Sequence, residues 1–259
     1  MIALHRIESE LEKKLNFYKP KLWVLMPVFN EANGLASWMR TVDRELNFME
    51  TIFVISDDGS SDGIGEKLKM ELDFSKYVFL GDGINRGPGA AFAVGFEYIL
   101  QNGSAGDAIV TLEADGTADL ATLHPMLDAL KTHDVAMASV YLPGGGFTKT
   151  GWVRMMLSNL ANALTRTILN LPYRTLTSFY RAYRFDALQH LTQRYPRIIE
   201  ETGFICQVEL LYKCRKVDLS ITEIPTKVFS DRRKGPSKMK IIRTILEHLR
   251  FVLKTKLNA

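Results

Sequence analysis

The stretch Asp107-Ala-Ile-Val-Thr-Leu-Glu-Ala-Asp-Gly-Thr117 decides the fold. Its apolar run, residues 108–112, predicts a short buried strand, and that strand ends at two carboxylates, Glu113 and Asp115. In an open α/β sheet, ligands bind just beyond the carboxyl ends of the strands. Two acids one residue apart at such an end can both reach a hard divalent cation, which binds oxygen ligands and often substrate phosphates too. An acidic strand end is also typical of an ordinary turn, so the rest of the chain must decide between the two.

Polar residues also follow the three strands predicted earlier in the chain, at residues 21–27, 51–55 and 77–80. Helical patterns separate these strands, and this alternation predicts a mainly parallel sheet with right-handed crossovers. The carboxyl ends of parallel strands share one edge, so four polar stretches are expected to converge there. They are Asn30/Glu31, Asp57/Asp58, Asn85/Arg86/Gly87 and Glu113/Asp115. Neither a phosphate-binding Walker loop nor a dinucleotide fingerprint is present.

The second half of the chain continues the same kind of alternation, with less regular spacing. The patterns predict strands at 135–141, 178–185 and 219–228, helices at 152–171 and 204–217, and a mobile glycine loop at 143–146. From residue 239 onward, apolar residues recur on one face of a C-terminal amphipathic helix. We therefore expect a helical extension (residues 1–20), one main domain (21–228), and a basic loop with the terminal helix (229–259).

Composition and charge narrow the classes of protein. The 259 residues are 46% hydrophobic and 24% charged, as in an ordinary globular protein that can bury a core without disulfides. Cys206 and Cys214 lack partners at zinc spacing, which favours reduced thiols in a cytoplasmic protein. Residues 229–259 carry nine Lys or Arg against two acids, so this end predicts an anionic partner. Nucleic acid is disfavoured, because the basic run lacks interleaved aromatics and a recognised module.

Seven motifs occur in the order seen in glycosyltransferase family 2, and the set most resembles the dolichol- or polyprenyl-phosphate mannose or glucose synthases. They are Met26-Pro-Val-Phe-Asn-Glu31, Asp57-Asp-Gly-Ser-Ser-Asp-Gly63, Asn85-Arg-Gly-Pro-Gly-Ala-Ala91, Glu113-Ala-Asp115, Thr177-Ser-Phe-Tyr-Arg-Ala-Tyr-Arg184, Gly203-Phe-Ile-Cys-Gln-Val-Glu209 and Asp231-Arg-Arg-Lys-Gly-Pro-Ser-Lys238. The resemblance covers roughly residues 22–238. It implies a GT-A fold, that is, a Rossmann-like α/β sheet flanked by helices and joined to an acceptor-binding half.

The resemblance also implies roles for individual residues. The nucleotide would be held by Pro27, Phe29, Glu31, Asp57, Asp58, Asn85, Arg86 and Gly87. Glu113 and Asp115 would carry Mg²⁺ or Mn²⁺ on the donor diphosphate, and Arg232 would contact the phosphates. Gln207 and Glu209 would face the sugar, and the acceptor would meet Arg154, Ser158, Ser178 and Arg181. The implied reaction is an inverting displacement from a nucleotide-sugar.

Departures from the family pattern concentrate on the acceptor side. Val140 stands where the lipid-phosphate synthases usually have an arginine, and Phe179 replaces a glycine; on the donor side, Glu113 replaces an aspartate. Three hypotheses therefore stay open: transfer to a polyprenyl phosphate, transfer to a hydroxyl of a glycan, lipid or small molecule, and a non-catalytic subunit that binds nucleotide-sugars. We expect a cytoplasmic protein that is peripheral to the membrane, with a membrane-protein partner or a homodimer as further alternatives.

Overall fold

The computed structural model describes residues 19–72, 76–148, 162–163, 165–233 and 241–257. The strands in these ranges are β1 (Lys21–Val28), β2 (Glu50–Asp57), β3 (Tyr77–Leu80), β4 (Ala108–Thr111), β5 (Val135–Ser139), β6 (Gly146–Phe147), β7 (Arg181–Arg184), β8 (Ile221–Pro225) and β9 (Lys227–Val228). The α-helices bounded in the same ranges are α1 (Leu35–Glu45), α2 (Ile64–Glu71), α3 (Pro88–Asn102), α4 (Leu123–Ala129), α5 (Phe185–Arg194), α6 (Cys206–Lys216) and α7 (Ile241–Leu257).

A seven-stranded sheet in the order β3-β2-β1-β4-β7-β5-β8 forms the centre of the described structure. β1 pairs in parallel with both β2 and β4, and β2 pairs in parallel with β3. β7 is antiparallel to both of its neighbours, β4 and β5, so β5 runs in the same direction as β4. The mostly parallel sheet flanked by helices is confirmed, and the carboxyl ends of β1, β2, β4 and β5 share one edge.

Apolar side chains cover both faces of the sheet, because alternate residues of a strand point to opposite sides. In β1, Trp23 and Leu25 belong to one buried cluster, whereas Leu22, Val24 and Met26 belong to the other. The first cluster packs under α3, α5 and α6, and the second packs under α1, α2 and α4. The domain is thus a three-layer α/β/α sandwich with one core on each face of the sheet.

Several observed elements differ from the predicted ones in their bounds or their type. The predicted glycine loop at 143–146 in part forms β6, because Gly146 and Phe147 pair in parallel with β9. The predicted strand at 219–228 is two short strands, interrupted at Thr226. Of the predicted helix at 152–171, residues 162–163 and 165–169 are helical. Residues 152–161 and 164 lie outside the described residues, and residues 170–171 follow the end of the helix. Most of the predicted extension, residues 1–18, also lies outside them.

Helix α7 is present at the predicted place, and of its predicted apolar face the burial of Leu249, Val252 and Leu253 is described. Phe251 and Val252 are buried and join the core cluster under α6. Leu249 and Leu253 remain 44% and 61% exposed. Within the described part of this helix, Phe251 and Val252 therefore pack against the domain, and two leucines face outward beside Arg250 and Lys254.

Candidate active site

Two loops at the carboxyl edge, after β1 and after β2, are tied together by side-chain hydrogen bonds. Asn30, in the left-handed region at φ 54°, donates its backbone N–H to Ser60 Oγ at 2.8 Å. Its own Oδ1 accepts the N–H of Ser61 at 2.8 Å. Asp62 accepts the N–H of Ala32 at 2.8 Å. These bonds fix the two loops as one frame before any ligand binds.

Asp58 connects this frame to the glycine-rich loop before α3. The side chain is buried, and its Oδ1 accepts the backbone N–H groups of Arg86 at 2.8 Å and Gly87 at 2.9 Å. The Asn85 amide donates back to the Asp58 carbonyl at 3.0 Å. Burial raises the pKa of Asp58, and the two backbone donors oppose that rise. The predicted nucleotide residues of β2 and of this loop therefore lie together, and Asp58 holds the loop in place.

Close backbone contact explains two of the glycines in this loop. Gly87 has φ 106°, and a Cβ there would lie 2.5 Å from the carbonyl oxygen of Thr202. Gly89 donates its N–H to the same oxygen at 2.8 Å, and a Cβ on Gly89 would lie 2.0 Å from the Glu201 carbonyl oxygen. Side chains at either position would push the loop away from residues 201–202, since real Cβ atoms do not approach so closely.

The acidic pair follows β4 in a tight turn. Asp115 Oδ1 accepts from Thr117 twice, from the hydroxyl at 2.7 Å and from the backbone N–H at 3.1 Å. The Thr117 hydroxyl also lies 3.4 Å from Glu113 Oε2, so one side chain bridges both carboxylates. Burial, followed by the nearby Asp115 charge, raises the pKa of Glu113 to about 7. A bound cation would favour the ionised form, because opposite charge lowers a carboxyl pKa.

Arg233 is the site residue that the sequence analysis missed. Its Nε donates to Asp115 Oδ2 at 2.7 Å, and its Nη2 lies 2.6 Å from the same oxygen. The predicted phosphate contact, Arg232, instead places its guanidinium 3.8 Å from the centre of the Phe229 ring. The only signal was the adjacent pair of arginines, which offered no basis for choosing between them.

The segment that carries both arginines is anchored to the acidic turn. Phe229 donates its N–H to the Thr117 carbonyl at 2.8 Å, and Val228 forms a bridge with Ala118. Thr148 donates its hydroxyl to Asp231 at 2.6 Å. A cavity of about 130 Å³ lies beside this segment, with Glu31, Asp115 and Arg232 among its lining residues. Arg232 therefore stays near the metal-binding candidates, and its assignment remains a prediction.

Pro27, Phe29 and Glu31 occupy the end of β1 and the loop after it. Pro27 lies opposite Ser56 in the parallel pairing with β2, and both Pro27 and Phe29 are half-buried. The Glu31 backbone carbonyl accepts the N–H of Leu35 at 3.2 Å, at the start of α1. The charge of Glu31 contributes to the raised pKa of Glu113. The structure thus brings the β1 candidates to the same edge as the acidic pair.

Gln207 and Glu209, predicted to face the sugar, lie on α6 and are buried. Glu209 accepts the N–H groups of Glu200 at 3.0 Å and Glu201 at 2.9 Å, and it forms an ion pair with Lys213 at 2.7 Å. Its carboxylate therefore fixes the loop that contacts Gly87 and Gly89. Gln207 Oε1 has no hydrogen-bond partner in the part of the chain that the structure describes.

The four predicted acceptor residues are placed very differently. Arg154 and Ser158 lie outside the described residues. Ser178 makes a local hydrogen bond, since its Oγ accepts the N–H of Tyr180 at 3.2 Å. The Arg181 guanidinium is inside the core, donating to the carbonyls of Gln207 at 2.9 Å and Leu176 at 2.7 Å. Arg181 is 1% exposed in this arrangement, and its role toward an acceptor stays a prediction.

Comparison with solved structures agrees with this architecture. Glucosyl-3-phosphoglycerate synthase from Mycobacterium tuberculosis, in a crystal structure with Mn²⁺, uridine diphosphate and phosphoglyceric acid, superposes with a TM-score of 0.62. The match covers 90% of this chain and 78% of that one at 14% identity, so it supports the fold alone. The fold is of the GT-A class that glycosyltransferases use.

Comparison of sequences identifies the family. The family model described as Glycosyl transferase family 2 matches residues 23–192, and the chain belongs to that family and is a glycosyltransferase. It is 31% identical to a polyprenol monophosphomannose synthase of Mycolicibacterium smegmatis, over 83% of this chain and 80% of that protein. It is 29% identical to an undecaprenyl-phosphate mannosyltransferase of Micrococcus luteus, over 85% and 87% of the two chains.

Proposed function

We propose that this enzyme transfers a hexose from a nucleotide-sugar to a polyprenyl phosphate, in a single inverting displacement that depends on Mg²⁺ or Mn²⁺. The names of the two bacterial relatives support mannose as the sugar and a polyprenyl phosphate as the acceptor. The observation that carries the proposal is the convergence of Asp58, the loop at residues 85–87, and the pair Glu113 and Asp115 on one edge of the sheet. This is the edge where α/β sheets bind their ligands.

The donor would lie across this edge. Pro27, Phe29, Glu31 and Asp57 are proposed to contact the base and ribose, and the loop at residues 85–87 would line the pocket. Asp58 would act mainly by holding that loop, because the Asp58 carboxylate already accepts the backbone N–H groups of Arg86 and Gly87. Gln207 and Glu209 would act from α6; for Glu209 the contacts favour a positioning role over a catalytic one.

The acidic pair fits a hard divalent cation. Glu113 and Asp115 offer carboxylate oxygens, and Mg²⁺ is commonly bound by one or two carboxylates together with substrate phosphates and water. No group of three or more His, Cys, Asp or Glu forms a metal site within the described ranges, so the remaining ligands would come from the donor and water. The cation would neutralise charge on the diphosphate leaving group.

The chain's own cations would assist the same step. The Arg233 guanidinium contacts Asp115, and Arg232 lies in the same segment, so both would place positive charge near the leaving nucleoside diphosphate. The acceptor phosphate is already anionic and attacks as an oxyanion, so no general base is required. A hydroxyl acceptor would require one, and the buried Glu209 carboxylate is committed to Lys213 and to backbone donors.

Contact with the membrane surface is part of the proposal. None of the helices in the described ranges is long and apolar enough to cross a bilayer. Helix α7 presents Leu249 and Leu253 next to Arg250 and Lys254, the pattern of a helix that lies at an anionic lipid surface. A peripheral enzyme on the cytoplasmic face would meet a polyprenyl phosphate there. A membrane-protein partner or a homodimer stays a prediction.

Transfer assays with the full chain test the proposal. Purified protein is incubated with labelled GDP-mannose or UDP-glucose, with Mn²⁺, Mg²⁺ or EDTA, and with a short polyprenyl phosphate. The matched control acceptor is the polyprenol of the same length, which has a hydroxyl in place of the phosphate. We expect label in the phosphate-linked lipid alone, a β-linkage from an α-linked donor, and no product in EDTA. Label in the polyprenol, or only in a water-soluble glycan, would contradict the acceptor assignment.

A further inference from the structure

A second polar cavity lies away from the acidic pair, at the carboxyl end of β5. Its volume is about 410 Å³, within the range of roughly 300–1,000 Å³ that small-molecule sites occupy. It is lined by Tyr141, Asn162, Arg166 and Arg174. None of these was assigned a role by the sequence motifs, and none of the four carries a negative charge.

Neither guanidinium of this cavity is neutralised within the described residues. Arg166 Nε is buried without a hydrogen-bond partner there, and neither arginine forms an ion pair with a carboxylate in those ranges. Arg174 Nη1 donates to the Tyr141 carbonyl at a long 3.3 Å. The nearby acid, Glu223, accepts the backbone N–H groups of Arg174 and Thr175, both at 2.8 Å. A buried donor without an acceptor is costly, so the cavity favours an anionic ligand.

The remaining lining residues complete a polar wall. Asn162 is 6% exposed, and its Nδ2 lies 3.4 Å from the Tyr141 hydroxyl. Asn162 and Arg166 are four residues apart in a helical stretch, so their side chains share one face. Amide, phenol and two guanidinium groups thus surround one space. Guanidinium forks match the oxygens of a phosphate group better than a point charge does.

The cavity lies on the edge of the sheet where the reaction would take place. Tyr141 comes two residues after β5, and β5 runs parallel to β4, from which the acidic turn emerges. One strand, β7, lies between them, so the two strands are roughly 10 Å apart. Val140, the position where the family resemblance leads us to expect an arginine, directly precedes Tyr141. The two arginines of the cavity supply positive charge to the neighbourhood that Val140 leaves apolar.

We propose that Arg166 and Arg174, with Tyr141 and Asn162, form a binding site for a phosphate monoester, and that the acceptor headgroup occupies it. The identity of this ligand rests on the proposed function. A polyprenyl phosphate and free inorganic phosphate both offer a phosphate group that the site could bind, so the test includes each of them.

The test separates binding from transfer. The double variant Arg166→Gln/Arg174→Gln is compared with Arg44→Gln/Arg194→Gln, which removes the same charge from two exposed arginines. Calorimetric titrations use a water-soluble short prenyl phosphate and, separately, inorganic phosphate. Donor binding is measured with GDP-mannose and Mn²⁺, and circular dichroism verifies that each variant is folded.

We expect the cavity variant to bind the prenyl phosphate at least about tenfold more weakly, with donor binding unchanged and the control variant like wild type. Loss of prenyl phosphate binding in a protein that never transfers sugar would support the site while refuting the proposed function. Equal binding by both variants would overturn the site. If inorganic phosphate binding alone is lost, while prenyl phosphate binding and transfer persist, the acceptor assignment is overturned.

Discussion

The donor side and the acceptor side of the sheet's carboxyl edge are built in different ways. On the donor side, hydrogen bonds of about 3 Å join the loops after β1, β2 and β3 and the loop before α6, so the pocket residues are fixed by one another. On the acceptor side, the cavity near β5 has two guanidinium groups without carboxylate partners in the described residues. The loops of the donor side are thus held by one another, whereas the guanidinium groups of the acceptor side have no carboxylate partner in the described residues. Substitutions should therefore affect the two sides differently.

Asp115→Ala should have the largest effect, and that effect should be on catalysis. We expect transfer to fall by about a thousandfold, since the variant loses a metal-binding carboxylate at the leaving group. Stability should fall by only about 1–2 kcal/mol, because the buried Thr117 loses the carboxylate that accepts its hydroxyl and its N–H. Single-turnover transfer and urea unfolding measure the two quantities. Asp128→Ala, which removes an exposed carboxylate from α4, is the matched control; transfer retained by the Asp115 variant would refute the metal assignment.

Glu209→Gln should destabilise the protein. It leaves the buried Lys213 ammonium without its closest carboxylate, and breaking such a pair costs about 3 kcal/mol of unfolding free energy. Because Glu209 also holds residues 200–201, donor affinity should weaken along with stability. Thermal unfolding and nucleotide titration report both. The exposed pair of Asp128 and Lys131 gives the control: Asp128→Asn should change stability by less than about 0.5 kcal/mol.

Asp58→Asn should have a smaller effect on stability that is confined to the donor side. The backbone N–H groups of Arg86 and Gly87 donate to the two carboxylate oxygens of Asp58, and an asparagine amide would offer them only one oxygen. We therefore expect the unfolding free energy to fall by about 1–2 kcal/mol. Affinity for a nucleoside diphosphate should fall, while binding of a prenyl phosphate should not. Asp128→Asn, which alters an exposed carboxylate on α4 that pairs with Lys131, should leave both affinities intact. Equal weakening of donor and acceptor binding would show that the two sides are not independent.

Leu249→Ser/Leu253→Ser should have the smallest effect. We expect binding to anionic liposomes to weaken a few-fold, since two exposed leucines are lost while the cations of α7 remain. Unfolding free energy should change by less than about 0.5 kcal/mol, because neither side chain is buried. Vesicle sedimentation measures the binding. Met70→Ser, at another exposed apolar residue, is the control, and unchanged sedimentation of the leucine variant would remove α7 from the membrane proposal.

The sequence predicted the parallel half of the sheet well. The strand at Tyr77–Leu80 has the predicted bounds, and the acidic pair lies directly after β4 as expected. These elements are local: apolar runs mark the strands, and the polar residues that follow must lie at their carboxyl ends. The convergence of the four polar stretches then follows from the topology alone.

The features that the sequence did not predict depend on contacts between distant residues. No pattern in the sequence distinguishes Arg233 from Arg232, because the choice depends on which side chain faces Asp115 across 118 positions. The buried position of Arg181 likewise depends on a distant group, the Gln207 carbonyl on α6, 26 positions along the chain. The antiparallel insertion of β7 also has no local signal, since the side-chain alternation of a four-residue strand is the same in either direction.

The insertion of β7 also has a consequence for synthesis on the ribosome. All five residues of β5 are buried, yet both neighbours of this strand, β7 and β8, are encoded later. The strands β1 to β4 can pair as soon as they emerge, but β5 must wait until residues 140–180 have followed it. At roughly 5–20 residues per second this delay lasts several seconds. During that time the nascent chain exposes an apolar strand, and chaperone binding should concentrate on residues 135–139.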